Sequence, residues 1–390
     1  MKIAFFTDTY LPNVDGVVRA IVNYRGELQR RGHDVFVYTS GTGDESRNNT
    51  EKSVVFFRSV KFPPYPQYKV ALFPYVSAIL SARKQKIDLV HSHGVASMGF
   101  AAVRTAKTLN LPLVGTFHTL LPKGMETVTK NKWGQRTGEK LLWKAIQYFY
   151  QPFDVVTAPS NVISQMLIEH LECERGKVMA VPNGIDLQRF NQRLDPKWAR
   201  KPLGLRKGEK LVLVAGRMGF EKNVPVVVKA FSQVLKAGNA KLVISGEGPA
   251  KASVLEFVRK SGLQDRVEML GFLPEQELPL YYAAADVFVT ASTFETQGLT
   301  VLESMACGTP VVGARAMAIP ESIDDGKNGF LFEPSDDGEC AEKILKILSM
   351  NDSKRRRMRE EARAKAEQFS IPKTTDKLLK AYERTGEFHK

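Results

Sequence analysis

The stretch KLVLVAGRMGFEKNVPVVVKAFSQVLKAGNAKLVIS, residues 210–245, decides the fold class. It opens on Lys210 and an unbroken apolar run over 211–215, turns at Gly216, continues as an amphipathic segment over 224–237, and returns to an apolar-centred strand over 241–245. Strands buried on both faces read as continuous Val/Ile/Leu runs rather than as alternating ones, so this is a strand–turn–helix–strand unit of a parallel sheet. The same unit recurs outward. Downstream, helices over 250–261, 275–284 and 298–306 alternate with strands at 267–270, 287–290, 310–313 and 329–332. Upstream, the chain begins with a strand at 2–7, a helix over 16–31 ending at Gly32, and a strand at 33–39. Strands at 54–58, 88–93, 112–117, 155–159 and 178–182 follow, with a helix over 95–109. Three charged amphipathic helices over 336–349, 353–368 and 371–384 close the sequence. This alternation predicts an α/β protein of two doubly wound, Rossmann-like domains separated near the polar stretch 187–210. The expected divisions are 1–190, 191–370 and a terminal 371–390. Ligands of such sheets bind at the carboxyl ends of the strands, so two such domains facing each other are expected to share a cleft.

Composition narrows the class further. The 390 residues are 43% hydrophobic and 25% charged, which excludes a disordered or collagenous chain. No apolar run reaches the roughly 18 residues of a spanning helix. The N-terminus turns acidic at Asp8, too early for a secretory signal, and reads as a first buried strand. Cys173, Cys307 and Cys340 are scattered and odd in number, which indicates neither a disulfide framework nor a zinc site and fits a reducing cytoplasm. Net charge is +14, with +9 in residues 1–190 and +5 in 191–390. That surplus favours anionic partners such as nucleotide phosphates or anionic lipid headgroups. A nucleic-acid partner is not expected, because no aromatic-basic module is present and the bases alternate with acids.

Chemistry-bearing residues concentrate in the second half. Gly216-Arg217-Met-Gly-Phe-Glu-Lys222-Asn223 follows the strand at 210–215 directly. Its glycines permit a sharp turn, and its two cations, a planar guanidinium and a mobile ammonium, can clamp a diphosphate. It is neither a Walker A loop nor a complete Gly-x-Gly-x-x-Gly fingerprint. Glu295 and Glu303 lie eight apart in Phe294-Glu-Thr-Gln-Gly-Leu-Thr-Val-Leu-Glu303. Between them, Gly298-Leu299-Thr300 opens a helix whose free N–H groups and dipole suit a phosphate. Taken alone, each piece also reads as an ordinary solvated turn or helix start. The turn Ser245-Gly-Glu-Gly-Pro249 reads equally well as turn chemistry or ligand contact.

Together these pieces resemble the family 4 glycosyltransferases, retaining, nucleotide-sugar-dependent enzymes of the GT-B fold. The likeness rests on 216–223, 245–249, 294–303, Ala306-Cys-Gly-Thr-Pro-Val-Val312, Pro182-Asn-Gly-Ile-Asp186 and Phe5-Phe-Thr-Asp-Thr-Tyr-Leu-Pro-Asn-Val-Asp-Gly-Val17, in order over essentially the whole chain. The resemblance implies that Arg217 and Lys222 hold the donor diphosphate, Glu303 the nucleotide ribose and Glu295 the hydroxyls of the transferred sugar. It adds backbone N–H groups near Gly298, Leu299 and Thr300, places Gly16 near the donor, and makes His118 the histidine of the first domain's site. His118 and Glu295 then act beside the two cations in catalysis, with a donor phosphate oxygen taking the acceptor proton. It also implies that the terminal helix crosses back to the first domain. With no Asp-x-Asp and two cations present, no metal and no cofactor beyond the donor, UDP-glucose by resemblance, is expected.

The acceptor is read from the first half. Residues 121–150 carry Lys123, Lys130, Lys132, Arg136, Lys140 and Lys144 against Glu126 and Glu139, beside Trp143, Ile146 and Tyr150 at helical spacing. Basic residues next to an aromatic-apolar stripe suit an anionic bilayer face, although the same spacing serves a core-facing helix. Pro63, Pro64, Tyr65, Pro66, Tyr68 and Tyr75 suggest a second exposed loop. Thr293-Phe-Glu-Thr-Gln297-Gly-Leu-Thr300 and Thr116-Phe-His-Thr119 resemble the versions in diacylglycerol glucosyltransferases. The expectation is therefore a lipid acceptor and a peripheral position on the inner face of the cell membrane. A soluble sugar, polyol or polysaccharide acceptor, and a non-catalytic sugar-nucleotide-binding relative, are the alternatives.

Overall fold

The computed structural model describes the chain apart from residues 14, 42–44, 46–50, 63–64, 119, 121–131, 173–174 and 390; the side chains of 62, 65–68, 132, 133, 135 and 175 also lie outside the description. The chain divides into two units, Met1–Gly184 with Ile371–Lys390, and Ile185–Ser370. The change of unit falls at Gly184/Ile185 rather than at 190, because Ile185 N–H donates to the Phe369 carbonyl at 2.8 Å and bridges to Ser370. The polar stretch after it is not a bare linker. Phe190 and Leu203 are buried in the second unit, and a short helix, Lys197–Arg200, lies between them.

The first unit is built on an eight-stranded sheet of order β4-β3-β2-β1-β5-β6-β7-β8. Its strands are β1 (Lys2–Thr7), β2 (Asp34–Gly41), β3 (Val54–Phe62), β4 (Tyr65–Ala71), β5 (Leu89–Ser92), β6 (Leu113–Thr116), β7 (Val155–Ala158) and β8 (Val178–Ala180). All neighbours are parallel except β3 and β4, which run antiparallel. The expected exposed loop over 63–75 is thus partly wrong: residues 65–71 form an edge strand. Proline is tolerated there because an edge strand leaves backbone N–H groups unpaired on one side. Ile3 and Phe5 of β1 pack with Val18, Ile21 and Tyr24 of the helix Gly16–Arg30, which is why that segment reads as an amphipathic helix. The helix Ile371–Phe388 completes this core with Leu378, Ala381 and Tyr382, and Arg31 binds Asp376 at 2.5 Å.

The second unit holds a six-stranded, wholly parallel sheet of order β11-β10-β9-β12-β13-β14. These strands are β9 (Lys210–Ala215), β10 (Ala240–Ser245), β11 (Val267–Gly271), β12 (Val287–Thr290), β13 (Val311–Ala314) and β14 (Gly329–Phe332). Counted within the unit the order is 3-2-1-4-5-6, the doubly wound arrangement. Strand order reverses between β9 and β12, so the chain leaves their carboxyl ends in opposite directions and opens a crevice there. In the first unit the same reversal falls between β1 and β5. The apolar runs of β9, β10 and β12 are buried on both faces, which is why they lack alternation.

Candidate active site

The loops at the reversal point of the second unit are tied together backbone to backbone. Gly216 N–H donates to the Ser245 carbonyl at 3.0 Å, Met218 N–H to the Glu247 carbonyl at 2.8 Å, and Ala250 N–H to the Met218 carbonyl at 2.9 Å. Contact this close needs residues without a side chain. A Cβ on Gly246, whose φ is +136°, would lie 1.8 Å from the Gly216 carbonyl oxygen. The loop after β12 is tied in as well, since Thr293 N–H donates to the Glu221 carbonyl at 2.9 Å. Ser245-Gly-Glu-Gly-Pro249 therefore supports the cation loop structurally, and Ser245 itself also faces the pocket.

That pocket is lined by Gly216, Arg217, Lys222, Ser245, Glu295 and Thr300, together with apolar ends of the strands. Lys222 Nζ donates to Glu295 Oε1, and Arg217 Nη2 donates to Glu221 Oε1 at 2.5 Å. The two cations differ: Lys222 is mostly covered, whereas the Arg217 side chain is 63% exposed. Gly298, at φ +79°, stands just before the helix Leu299–Ala306, whose first turn receives no side-chain cap. Its leading N–H groups and positive dipole end thus lie beside Thr300 in the pocket wall. Glu303 sits one turn further on, buried, and accepts from the Tyr282 hydroxyl at 3.1 Å. The structure brings Arg217, Lys222, Glu295, Gly298, Leu299, Thr300 and Glu303 to one end of one sheet. An anion of diphosphate size would meet two cations and a helix start there, with two carboxylates placed for hydroxyl groups.

In the first unit, Gly16 opens the helix Gly16–Arg30 behind the cap Asp15, whose Oδ1 accepts from Val18 N–H at 2.9 Å. A Cβ there would meet nothing within 4 Å, so packing inside the unit does not demand glycine. His118 follows β6, half-buried, and burial pulls its imidazole down to about 4. His91 and His93, at the end of β5, stand beside it and were missed by the sequence reading. The available signal was His91-Ser-His93, two histidines on one face where a strand ends.

The membrane candidates separate. Trp143 is only 8% exposed and stacks on His170 with ring centroids 3.9 Å apart, while Ile146 and Tyr150 are buried with it. These three are core residues of the helix Lys132–Tyr150, and Trp143 is not a membrane contact. Arg136, Lys140 and Lys144, spaced four residues apart, are exposed along a neighbouring stripe of the same helix, and Leu141 and Tyr148 are exposed as well. Lys123 and Lys130, and the side chain of Lys132, lie outside the described residues. No helix among the described residues is long and apolar enough to cross a membrane.

Comparison with known proteins now decides the family. A model described as Glycosyltransferase Family 4 matches residues 14–189, and one described as Glycosyl transferases group 1 matches 197–365. The alpha-monoglucosyldiacylglycerol synthase of Streptococcus pneumoniae is 32% identical over 359 residues, 90% of this chain and 80% of that protein. The chain belongs to glycosyltransferase family 4. The protein of the same name from Acholeplasma laidlawii is 29% identical over 345 residues, 86% of each chain. Among solved structures, Anabaena Alr3699/HepE in complex with UDP and glucose superposes with a TM-score of 0.77 at 21% identity, covering 98% of this chain and 99% of that one. The fold of this glycosyltransferase is accordingly GT-B, with a parallel-sheet α/β arrangement in each unit.

Proposed function

We propose that this glycosyltransferase moves glucose from UDP-glucose to a diacylglycerol-type lipid at an anionic membrane surface, with retention at the anomeric carbon. The observation that carries this reading is the pairing of Lys222 with Glu295 beside Arg217 and an uncapped helix start, in a chain similar to two monoglucosyldiacylglycerol synthases. Negative charge grows on the departing diphosphate as its bond to the sugar breaks. Fixed cations and N–H dipoles at that position stabilise the transition state more than the ground state. Arg217 and Lys222 take that role here, and the helix start at Leu299 and Thr300 adds to it. Glu295, oriented by Lys222, receives sugar hydroxyls, and Glu303, oriented by Tyr282, receives the ribose. The acceptor hydroxyl attacks the face the diphosphate leaves, and its proton passes to a departing phosphate oxygen. In the first unit His118 serves the acceptor side, and Gly16 serves the donor.

The test is transfer from labelled UDP-glucose to vesicles containing diacylglycerol. The expected products are an α-linked monoglucosyl lipid and an equal amount of UDP, in yields unchanged by EDTA. Transfer only to soluble acceptors, or no UDP release with any acceptor, would contradict it. A Mn²⁺-restored loss on chelation would overturn the role given to the cations.

The exposed face of the helix Lys132–Tyr150 makes a separate prediction. Changing Arg136, Lys140 and Lys144 together to glutamine should weaken sedimentation with phosphatidylglycerol vesicles by on the order of tenfold at low salt. Binding of UDP should not change. Equal sedimentation of the triple variant and the parent would show that the membrane face lies elsewhere.

A further inference from the structure

Three imidazoles gather where β5 and β6 end. His93 Nδ1 lies 3.0 Å from His118 Nε2, with the rings stacked at 5.3 Å between centroids. On its other side His93 lies 4.0 Å from the ring of His91 and against the edge of Phe5. His91 is committed elsewhere. Its Nδ1 is 2.8 Å from the Tyr382 hydroxyl and its Nε2 is 2.7 Å from Thr116 Oγ1. Thr116 Oγ1 is in turn 2.7 Å from Thr157 Oγ1, which donates to the Gly115 carbonyl. Because a carbonyl only accepts, that end sets the direction of the chain. Thr116 then donates to Thr157 and accepts from His91 Nε2–H, leaving His91 Nδ1 to accept from Tyr382. His91 has no hydrogen-bonding capacity left for its neighbours.

His93 must settle its proton alone. Its Nε2 is buried and has no hydrogen-bond partner among the described residues. A proton on Nε2 would strand a buried donor, whereas a proton on Nδ1 strands only a lone pair and gives His118 Nε2 a hydrogen bond. With Nε2 of His118 accepting, the single proton of that neutral ring belongs on Nδ1. Burial, and for His91 and His93 the proximity of the neighbouring rings, holds all three well below the ordinary histidine range, so none carries a charge near neutrality.

We propose that His93 is a positioning residue for sugar transfer: its Nδ1–H fixes His118 as the Nδ1-protonated neutral tautomer, so that His118 meets its ligand as a hydrogen-bond donor and not as a base. The inference rests on the reading of His118 as a site residue. It goes beyond that reading by naming what sets the ring's chemistry.

Nitrogen-15 NMR of histidine-labelled protein near pH 7 reads the tautomer directly. The parent is expected to show His118 protonated on Nδ1. His93→Asn, whose amide reaches the former Nδ1 position, should keep that signature, and His93→Leu should give mixed tautomers. By analogy with outer partners of other functional histidines, His93→Leu should lower kcat about tenfold. KM for the nucleotide sugar should hardly move, and His93→Asn should recover most of the rate. An Nε2-protonated His118 in the parent overturns the inference, and that spectrum needs no variant to fold. So does a His93→Leu protein whose His118 tautomer or kcat is unchanged while His118→Ala is crippled. Full turnover by His118→Ala would instead overturn the site reading itself, and the inference with it.

Discussion

Replacing Lys222 with alanine is expected to lower kcat for glucosyl transfer by on the order of 10²–10³, the usual cost of losing one preorganised charge-stabilising group. The size follows from two roles. In the proposed mechanism Lys222 supplies positive charge where the diphosphate departs, and in the structure it holds Glu295, a contact spanning from the loop after β9 to the loop after β12. Removing it leaves a largely covered carboxylate without its cation, facing an incoming anion. Arg217→Ala should cost less, because the guanidinium is largely exposed and already partnered by Glu221. Steady-state kinetics on Lys222→Ala, Glu295→Ala and the double variant separate the two roles. If Lys222 acts only by neutralising Glu295, the double variant is no slower than Glu295→Ala. If the ammonium meets the phosphate, the double variant is far slower than Glu295→Ala. We expect the second result.

Gly246→Ala is expected to destabilise the second unit by roughly 3–5 kcal/mol, combining a strained backbone conformation with a steric clash. The added carbon would enter the space of the Gly216 carbonyl, and φ at +136° disfavours any side chain. Gly246 N–H donates to the Gly271 carbonyl at 2.7 Å, so the turn cannot simply retreat. The movement must fall on Gly216 and Arg217, and nucleotide affinity should fall along with stability. Gly16→Ala provides the contrast, since its Cβ meets open space and its stability should stay near the parent's. Denaturant unfolding of both variants beside nucleotide titration checks the pair. Equal stability of Gly246→Ala and the parent would mean the loops are not locked as described.

Residue pattern made the second sheet legible almost strand by strand, because strands buried on both faces advertise themselves as apolar runs. It failed at β4, where Pro66 read as punctuation although an edge strand admits proline. It also failed at Trp143. Helical spacing shows that Trp143, Ile146 and Tyr150 share a face, but not whether that face meets lipid or protein, and the stacking on His170 decides it. Arg217, Lys222, Glu295 and Glu303 were legible as a set because they sit in short segments at strand ends. Their partners were not. Lys222 and Glu295 stand 73 positions apart, and Tyr282 reaches Glu303 from another helix, so only the folded sheet brings them together. The histidine pair His93 and His118 was hidden for the same reason, the two residues lying just after neighbouring strands, 25 positions apart.

In the proposed mechanism Arg217 and Lys222 neutralise the diphosphate end of the donor. Calorimetric titration of UDP, GDP and ADP, each beside its parent nucleoside, into the parent protein and the Arg217→Ala/Lys222→Ala double variant tests it most directly. The parent should bind its preferred diphosphate far more tightly than the nucleoside, and the double variant should lose that margin. A double variant that binds the diphosphate as tightly as the parent would show that neither cation holds the donor's diphosphate.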